Sequence, residues 1–149
     1  MLARQLTEQD KRNAAAIVAR ELGACCVILF GSAAKGRMRA DSDVDLAFIS
    51  EGAHTPYRVF EVAAQVADCL KRDVDLVEFL QASTVFQAQV VGSGELLLDE
   101  DPTRRSYLFM QALKAYAMLN EERHEILVRR GFIKEGAANG CADQQDGHY

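Results

Sequence analysis

The stretch Leu29-Phe30-Gly31-Ser32-Ala33-Ala34-Lys35-Gly36-Arg37-Met38-Arg39-Ala40-Asp41-Ser42-Asp43-Val44-Asp45-Leu46 decides how this chain is read. An apolar run, Val27 to Phe30, ends in a Gly-Ser turn. Ten residues later come two aspartates separated by one residue, leading into a second apolar run, Val44 to Ile49. Both runs have the length and side-chain types of buried strands, and they are expected to lie side by side. Side chains two apart on a strand share a face, so Asp43 and Asp45 point the same way. Two such carboxylates in a compact domain repel each other and lose hydration. A divalent cation removes that cost, and Mg2+ binds through one or two carboxylates together with substrate phosphates. The Gly31-Ser32 turn offers a phosphate backbone N–H groups with no side chain in the way and a small hydroxyl.

Composition bounds the rest. A chain of 149 residues, 49% apolar and 26% charged, reads as a single globular domain. No apolar run approaches the roughly 20 residues of a membrane span, and the polar, mixed-charge start is unlike a signal peptide. The expectation is a cytoplasmic protein with no membrane contact. A net charge of −5 argues against direct binding to a nucleic-acid backbone. A nucleoside triphosphate can still be received through metal ions and a local basic cluster, which Lys35, Arg37 and Arg39 offer. Nothing in the spacing of Cys25, Cys26, Cys69 and Cys141 resembles a zinc ligand pair, so they are read as buried reduced thiols.

In chain order, Thr7 and Asp10 form a capping box for a first helix, whose apolar positions are Ala14, Ile17, Val18 and Leu22; Gly23 stops it. Ala24 to Phe30 is a central strand. Residues 31–40 form the turn and a helical segment, and Ser42 orients the entry to the second strand. Thr55 and Pro56 open a second helix with an apolar side of Phe60, Val62, Ala63, Val66, Ala67 and Leu70. The loop residue His54 before it is read as surface. Lys71 to Phe79 is a third strand on which Asp73 and Asp75 share a face. Ser83 caps a short helix through Val91, broken by Gly92 to Gly94. Glu95 to Leu98 is an edge strand. Asp101-Pro102 starts a long helix, about residues 102–130, with Leu108, Ala112, Ala115, Met118 and Leu119 mostly on one side; Arg104, Arg105 and Tyr107 in its first turns are read as a solvated basic face, with contact to nucleotide or partner as the alternative. The domain therefore spans residues 1–131, and residues 132–149, poor in large apolar side chains, read as a disordered tail.

Gly31-Ser32, ten residues, then Asp43-Val44-Asp45 resembles the signature of the DNA polymerase beta-like nucleotidyltransferases, and the short chain resembles their minimal members, the MNT proteins. The resemblance implies an α+β fold: a small mixed sheet of about four strands flanked by helices, with a long C-terminal helix. It implies a third carboxylate on a neighbouring strand, which accepts the proton of an attacking hydroxyl or holds a second metal. Asp75 is preferred because Asp75-Leu76-Val77 repeats the setting of Asp45-Leu46-Ala47; strand parity alone leaves Asp73 open. Asp43, Asp45 and Asp75 would then hold two Mg2+ ions and act on ATP, with Gly31, Ser32, Lys35, Arg37 and Ser42 binding the nucleotide. Many relatives carry arginine where this chain has Lys35, which keeps the charge without the bidentate geometry. The minimal forms resemble the antitoxin half of HEPN–MNT toxin–antitoxin pairs, which implies AMP transfer from ATP to a tyrosine of a HEPN ribonuclease toxin. A small-molecule nucleotidyltransferase of the aminoglycoside-modifying kind, and a non-catalytic antitoxin acting by contact, are the alternatives.

Overall fold

A computed structural model describes residues 6–31 and 43–129. The segment 32–42, with Ser32, Lys35, Arg37 and Ser42, and the tail from residue 130 lie outside the described residues.

Local signals start and stop most elements. Helix α1 (Glu8–Leu22) begins at a reciprocal capping box: the Thr7 hydroxyl accepts from the Asp10 N–H at 3.0 Å, and the Asp10 carboxylate accepts from the Thr7 N–H at 3.1 Å. It ends at Gly23, whose φ of 66° is open to glycine at no steric cost. Strand β1 (Ala24–Phe30) follows, then β2 (Val44–Ser50). Thr55 caps helix α2 (Pro56–Leu70), with proline in its first turn. Strand β3 (Val74–Glu78) leads through a 3-10 turn, Phe79–Gln81, to helix α3 (Thr84–Ser93), capped by Ser83. Strand β4 (Glu95–Asp99) precedes helix α4 (Pro102–Arg129), where the Asp101 carboxylate accepts from the Arg104 N–H at 3.1 Å.

The four strands form one mixed sheet in the order β3-β2-β1-β4. β1 is antiparallel to both β2 and β4, whereas β2 and β3 are parallel and joined by α2. Interior strands buried on both faces are apolar at nearly every position, which is how β1 reads. Val27, Leu29, Val44, Leu46 and Phe48 form one face, packed under Val18 and Leu22 of α1 and Val62, Val66 and Leu70 of α2. Cys26, Ile28, Phe30, Ala47 and Ile49 form the other, packed under Phe79, Val90 and Ala112, with Phe86 and Phe109 against them. Ion pairs fasten the layers at their rims: Arg58 with Glu21 at 2.7 Å between α2 and α1, and Arg105 with Asp99 at 2.8 Å between α4 and β4.

Several expectations are corrected. β3 is shorter than Lys71 to Phe79, because Lys71 takes a left-handed φ of 59° to end α2 and Phe79 already belongs to the 3-10 turn. Gly92 does not break α3; the helix runs through Ser93 and stops at Gly94, whose N–H reaches Val90 O at 2.8 Å. Phe60 is 68% exposed, since α2 buries only Val62, Ala63, Val66 and Leu70. On α4 the buried stripe ends at Ala112, and Ala115 and Met118 are exposed. A helix of 28 residues is about 42 Å long and outruns the sheet it packs on. Arg105 is no solvated charge: its pairing with Asp99 holds its guanidinium more firmly protonated, and it lies 5.6 Å over the Phe109 ring. The thiols divide. Cys26 is buried and its pKa is pushed up to about 12 by that burial, Cys25 is half-buried, and Cys69 is exposed. Cys141 lies outside the described residues.

Candidate active site

Parity on two strands places the central pair. Asp45 is the second residue of β2, and its neighbours in the sheet are Phe30 at the end of β1 and Asp75 on β3. In-register neighbours on adjacent strands point to the same face, so Asp45 and Asp75 stand side by side. Asp43 lies just before β2 and is exposed, as is Asp75, while Asp45 is half-buried. Asp73 falls outside β3; its carbonyl accepts from the Val44 N–H at 2.9 Å, so its backbone closes the start of the parallel pairing.

The electrostatics of the pair follow from this placement. The Asp45 carboxyl is held above the ordinary aspartate range, first by burial and then by the charges of Asp75 and Asp43. Among the described residues, no cationic side chain contributes to offset that shift. The donor set is all carboxylate oxygen, the hard ligand type that suits Mg2+, and it fits a divalent ion. Among the described residues, no three acidic, histidine or cysteine groups already close around a common point. The ion itself, with substrate oxygens and water, would complete such a shell, since Mg2+ keeps several non-protein ligands.

Gly31 ties the turn to this carboxylate. It has a φ of 75°, and a Cβ built on it would run into the Asp45 carboxylate oxygen Oδ2. Glycine is therefore required twice, for backbone conformation and for space. Sequence reasoning chose Gly31 for phosphate and missed this second reason. It also missed Phe86, which supports the turn from behind by an edge-on contact with Phe30 at 5.1 Å between ring centroids. A lone Phe on a short helix carried no signal for that role. His54 is not a plain surface residue either. Its Nε2 lies 2.8 Å from the Ser50 hydroxyl and its ring packs edge-on against Phe48, at the opposite end of β2 from the aspartates.

A groove of about 1180 Å³ runs from Asp43 and Asp75 along β3 and α2 to Glu51 and His54. No helix among the described residues is long and apolar enough to cross a membrane.

Comparison with known proteins places this arrangement. The family profile described as "Polymerase beta, Nucleotidyltransferase" matches residues 13–103, which include both carboxylate-bearing strands. "Protein adenylyltransferase MntA" from Shewanella oneidensis is 32% identical over 101 residues, covering 68% of this chain and 72% of that protein. A crystal structure of a toxin–antitoxin with AMP-PNP contains a chain 29% identical to this one, with a TM-score of 0.70 over 78% of this chain and 94% of that one. A complex of tri-AMPylated Shewanella oneidensis HEPN toxin with MNT antitoxin gives 27% identity and a TM-score of 0.67, over 81% of this chain and 96% of the matched chain.

Proposed function

The chain belongs to the polymerase beta nucleotidyltransferase family, and from that membership we propose that it is an antitoxin that transfers AMP from ATP to a tyrosine hydroxyl of a cognate HEPN toxin. The observation that carries the reading is the in-register pair Asp45 and Asp75 beside Gly31. The relatives support the acceptor: one is named a protein adenylyltransferase, and another is an MNT antitoxin in complex with an AMPylated HEPN toxin. A cytoplasmic location accords with such a pair.

The chemistry is an in-line displacement at the α-phosphorus. The tyrosine oxygen forms a new bond to phosphorus as the bond to the β-phosphate oxygen breaks, and that electron pair leaves with pyrophosphate. The tyrosine proton passes towards Asp75, which is exposed and can release it to water. Gly31 and its following backbone receive the leaving phosphates, with Ser32, Lys35, Arg37 and Ser42 as the further contacts. Two Mg2+ ions held by Asp43, Asp45 and Asp75 would supply charge neutralisation at the leaving group and a lower pKa at the acceptor hydroxyl. Asp45, half-buried between two acidic neighbours, gains most from that neutralisation.

The test uses ATP labelled on the α-phosphate, Mg2+ and the cognate toxin. Label should appear on the toxin with the native chain and disappear with Asp45→Ala. Full neutralisation of the toxin in cells by Asp43→Ala and Asp45→Ala variants would sink the enzymatic reading in favour of contact alone.

A further inference from the structure

The groove beside the carboxylates follows an edge of the sheet. Every residue from Asp73 to Glu78 lines it, so both side-chain rows of β3 take part and the opening tracks the strand's rim rather than one face. β3 ends the strand order, and among the described residues nothing pairs with its outer side. An unpaired edge is a template for one more strand. The opposite wall is apolar and shallow, built from Phe60, Ala64 and Ala67 of α2, and Phe60 is 68% exposed. Its 1180 Å³ exceeds the roughly 300–1,000 Å³ of ordinary small-molecule sites. β3 itself offers five residues, about 17 Å of extended chain.

Direction follows from the chemistry. An in-line displacement places the attacking oxygen opposite the leaving group. The phosphate turn at Gly31 lies on the β1 side of Asp45, so the leaving pyrophosphate belongs on that side. The acceptor hydroxyl then enters from the β3 side, where the groove begins at Asp43 and Asp75. Charge selects the occupant further. Among the described residues, Asp43, Glu51, Asp73, Asp75 and Glu78 line the groove against one guanidinium, that of Arg104, which already faces Glu51 at 3.6 Å.

We propose that the β3–α2 groove seats the acceptor as an extended, basic polypeptide segment that adds a strand to β3 and delivers its tyrosine hydroxyl to Asp75. This rests on the nucleotidyl-transfer reading above and names how that site recognises its protein substrate.

The experiment offers the full chain, with Mg2+ and α-labelled ATP, short synthetic peptides in which lysines or glutamates flank one tyrosine, and free tyramine. Lysine-flanked peptide should be labelled at least about tenfold more efficiently than glutamate-flanked peptide. Glu78→Lys should erase that preference, and Ala64→Trp, which fills the groove from an exposed helix position, should weaken labelling of both peptides. Fluorescence anisotropy of the fluorescein-labelled lysine peptide, read with AMP-PNP present, should show the same order without any turnover. Nucleotide binding should stay within about twofold in both variants, because neither position lies on the phosphate side. Label on the cognate toxin with no charge preference among peptides would overturn the groove assignment and leave transfer standing. Tyramine labelled as well as the lysine peptide would make the groove a small-molecule site and overturn it. So would a dimer in sedimentation that Ala64→Trp dissociates, which would make a second copy the occupant. No label on any acceptor, the toxin included, would remove the transfer reading and this inference together.

Discussion

The two faces of the sheet are built from the same strands and end differently. Under α1 and α2, Leu46 and its neighbours are sealed, with Val27, Leu29, Val44, Leu46 and Phe48 all at 0% exposure. One residue over on the same strand, Asp45 faces the other way, where cover by α3 and α4 reaches Phe30, Ala47 and Ile49 but leaves Asp75 open. A half-buried acid is tolerable only where a layer stops, because an unpaired charge under a complete layer would lack both water and partner. The candidate site sits where packing of the second face runs out, across the sheet from a first face that is sealed.

The largest expected effect tests this division most directly. Asp45→Asn should lower AMP transfer by about a thousandfold, through lost electrostatic stabilisation of the transition state, and leave the circular dichroism spectrum unchanged. Unfolding of that variant would mean that the open face is structural after all. On the sealed face, Phe48→Ala should lower unfolding free energy by about 3–5 kcal/mol in urea titration, since Phe48 is wholly buried. A loss below about 1 kcal/mol would show that this face repacks.

Gly31→Ala should be smaller. The left-handed conformation alone costs a non-glycine residue about 1–2 kcal/mol, and the new methyl displaces the Asp45 carboxylate. Transfer should therefore fall more than stability does, as kinetics and melts on one preparation would show; equal losses would place Gly31 in the scaffold alone. The smallest effect is on pH dependence. Asp45 holds its proton more tightly folded than unfolded, so its contribution favours folding most at low pH and fades as pH rises from the ordinary aspartate range through the raised folded value. Without Mg2+, Asp45→Asn should melt a few degrees higher than the native chain at pH 7, with the difference shrinking towards pH 4. Added Mg2+ should raise the native midpoint and not the variant's. A variant that melts lower at pH 7 would contradict the electrostatic account.

What the residues reveal by themselves is whatever is written locally. The caps at Thr7, Thr55, Ser83 and Asp101 and the stop at Gly23 depend on a few adjacent residues, and they lie where expected. The pairing of Asp45 with Asp75 rested on the family resemblance and on the shared setting of Asp45-Leu46 and Asp75-Leu76, because strand parity alone left Asp73 open. The register that pairs them is a tertiary fact. Where tertiary context decides, periodicity misled. Phe60 fits the apolar side of α2 but is left exposed, and Met118 continues a stripe on α4 whose burial stops at Ala112. The Phe30–Phe86 contact joins residues brought together only by the fold, and no spacing announces it.

The parallel pairing of β2 with β3 also sets an order in time. Gly31 follows β1 directly and Asp45 lies on β2, its antiparallel neighbour, whereas Asp75 reaches Asp45 only after the whole of α2 has crossed between them. Synthesis runs from the N-terminus, so Gly31 and Asp45 are both in the growing chain before Asp75 is added. A nascent chain leaving the ribosome thus carries one half of the acidic cluster well before the other. If Asp75 has the proposed role, the site is complete only once β3 has paired with β2, and a chain lacking that pairing holds the turn without its third carboxylate.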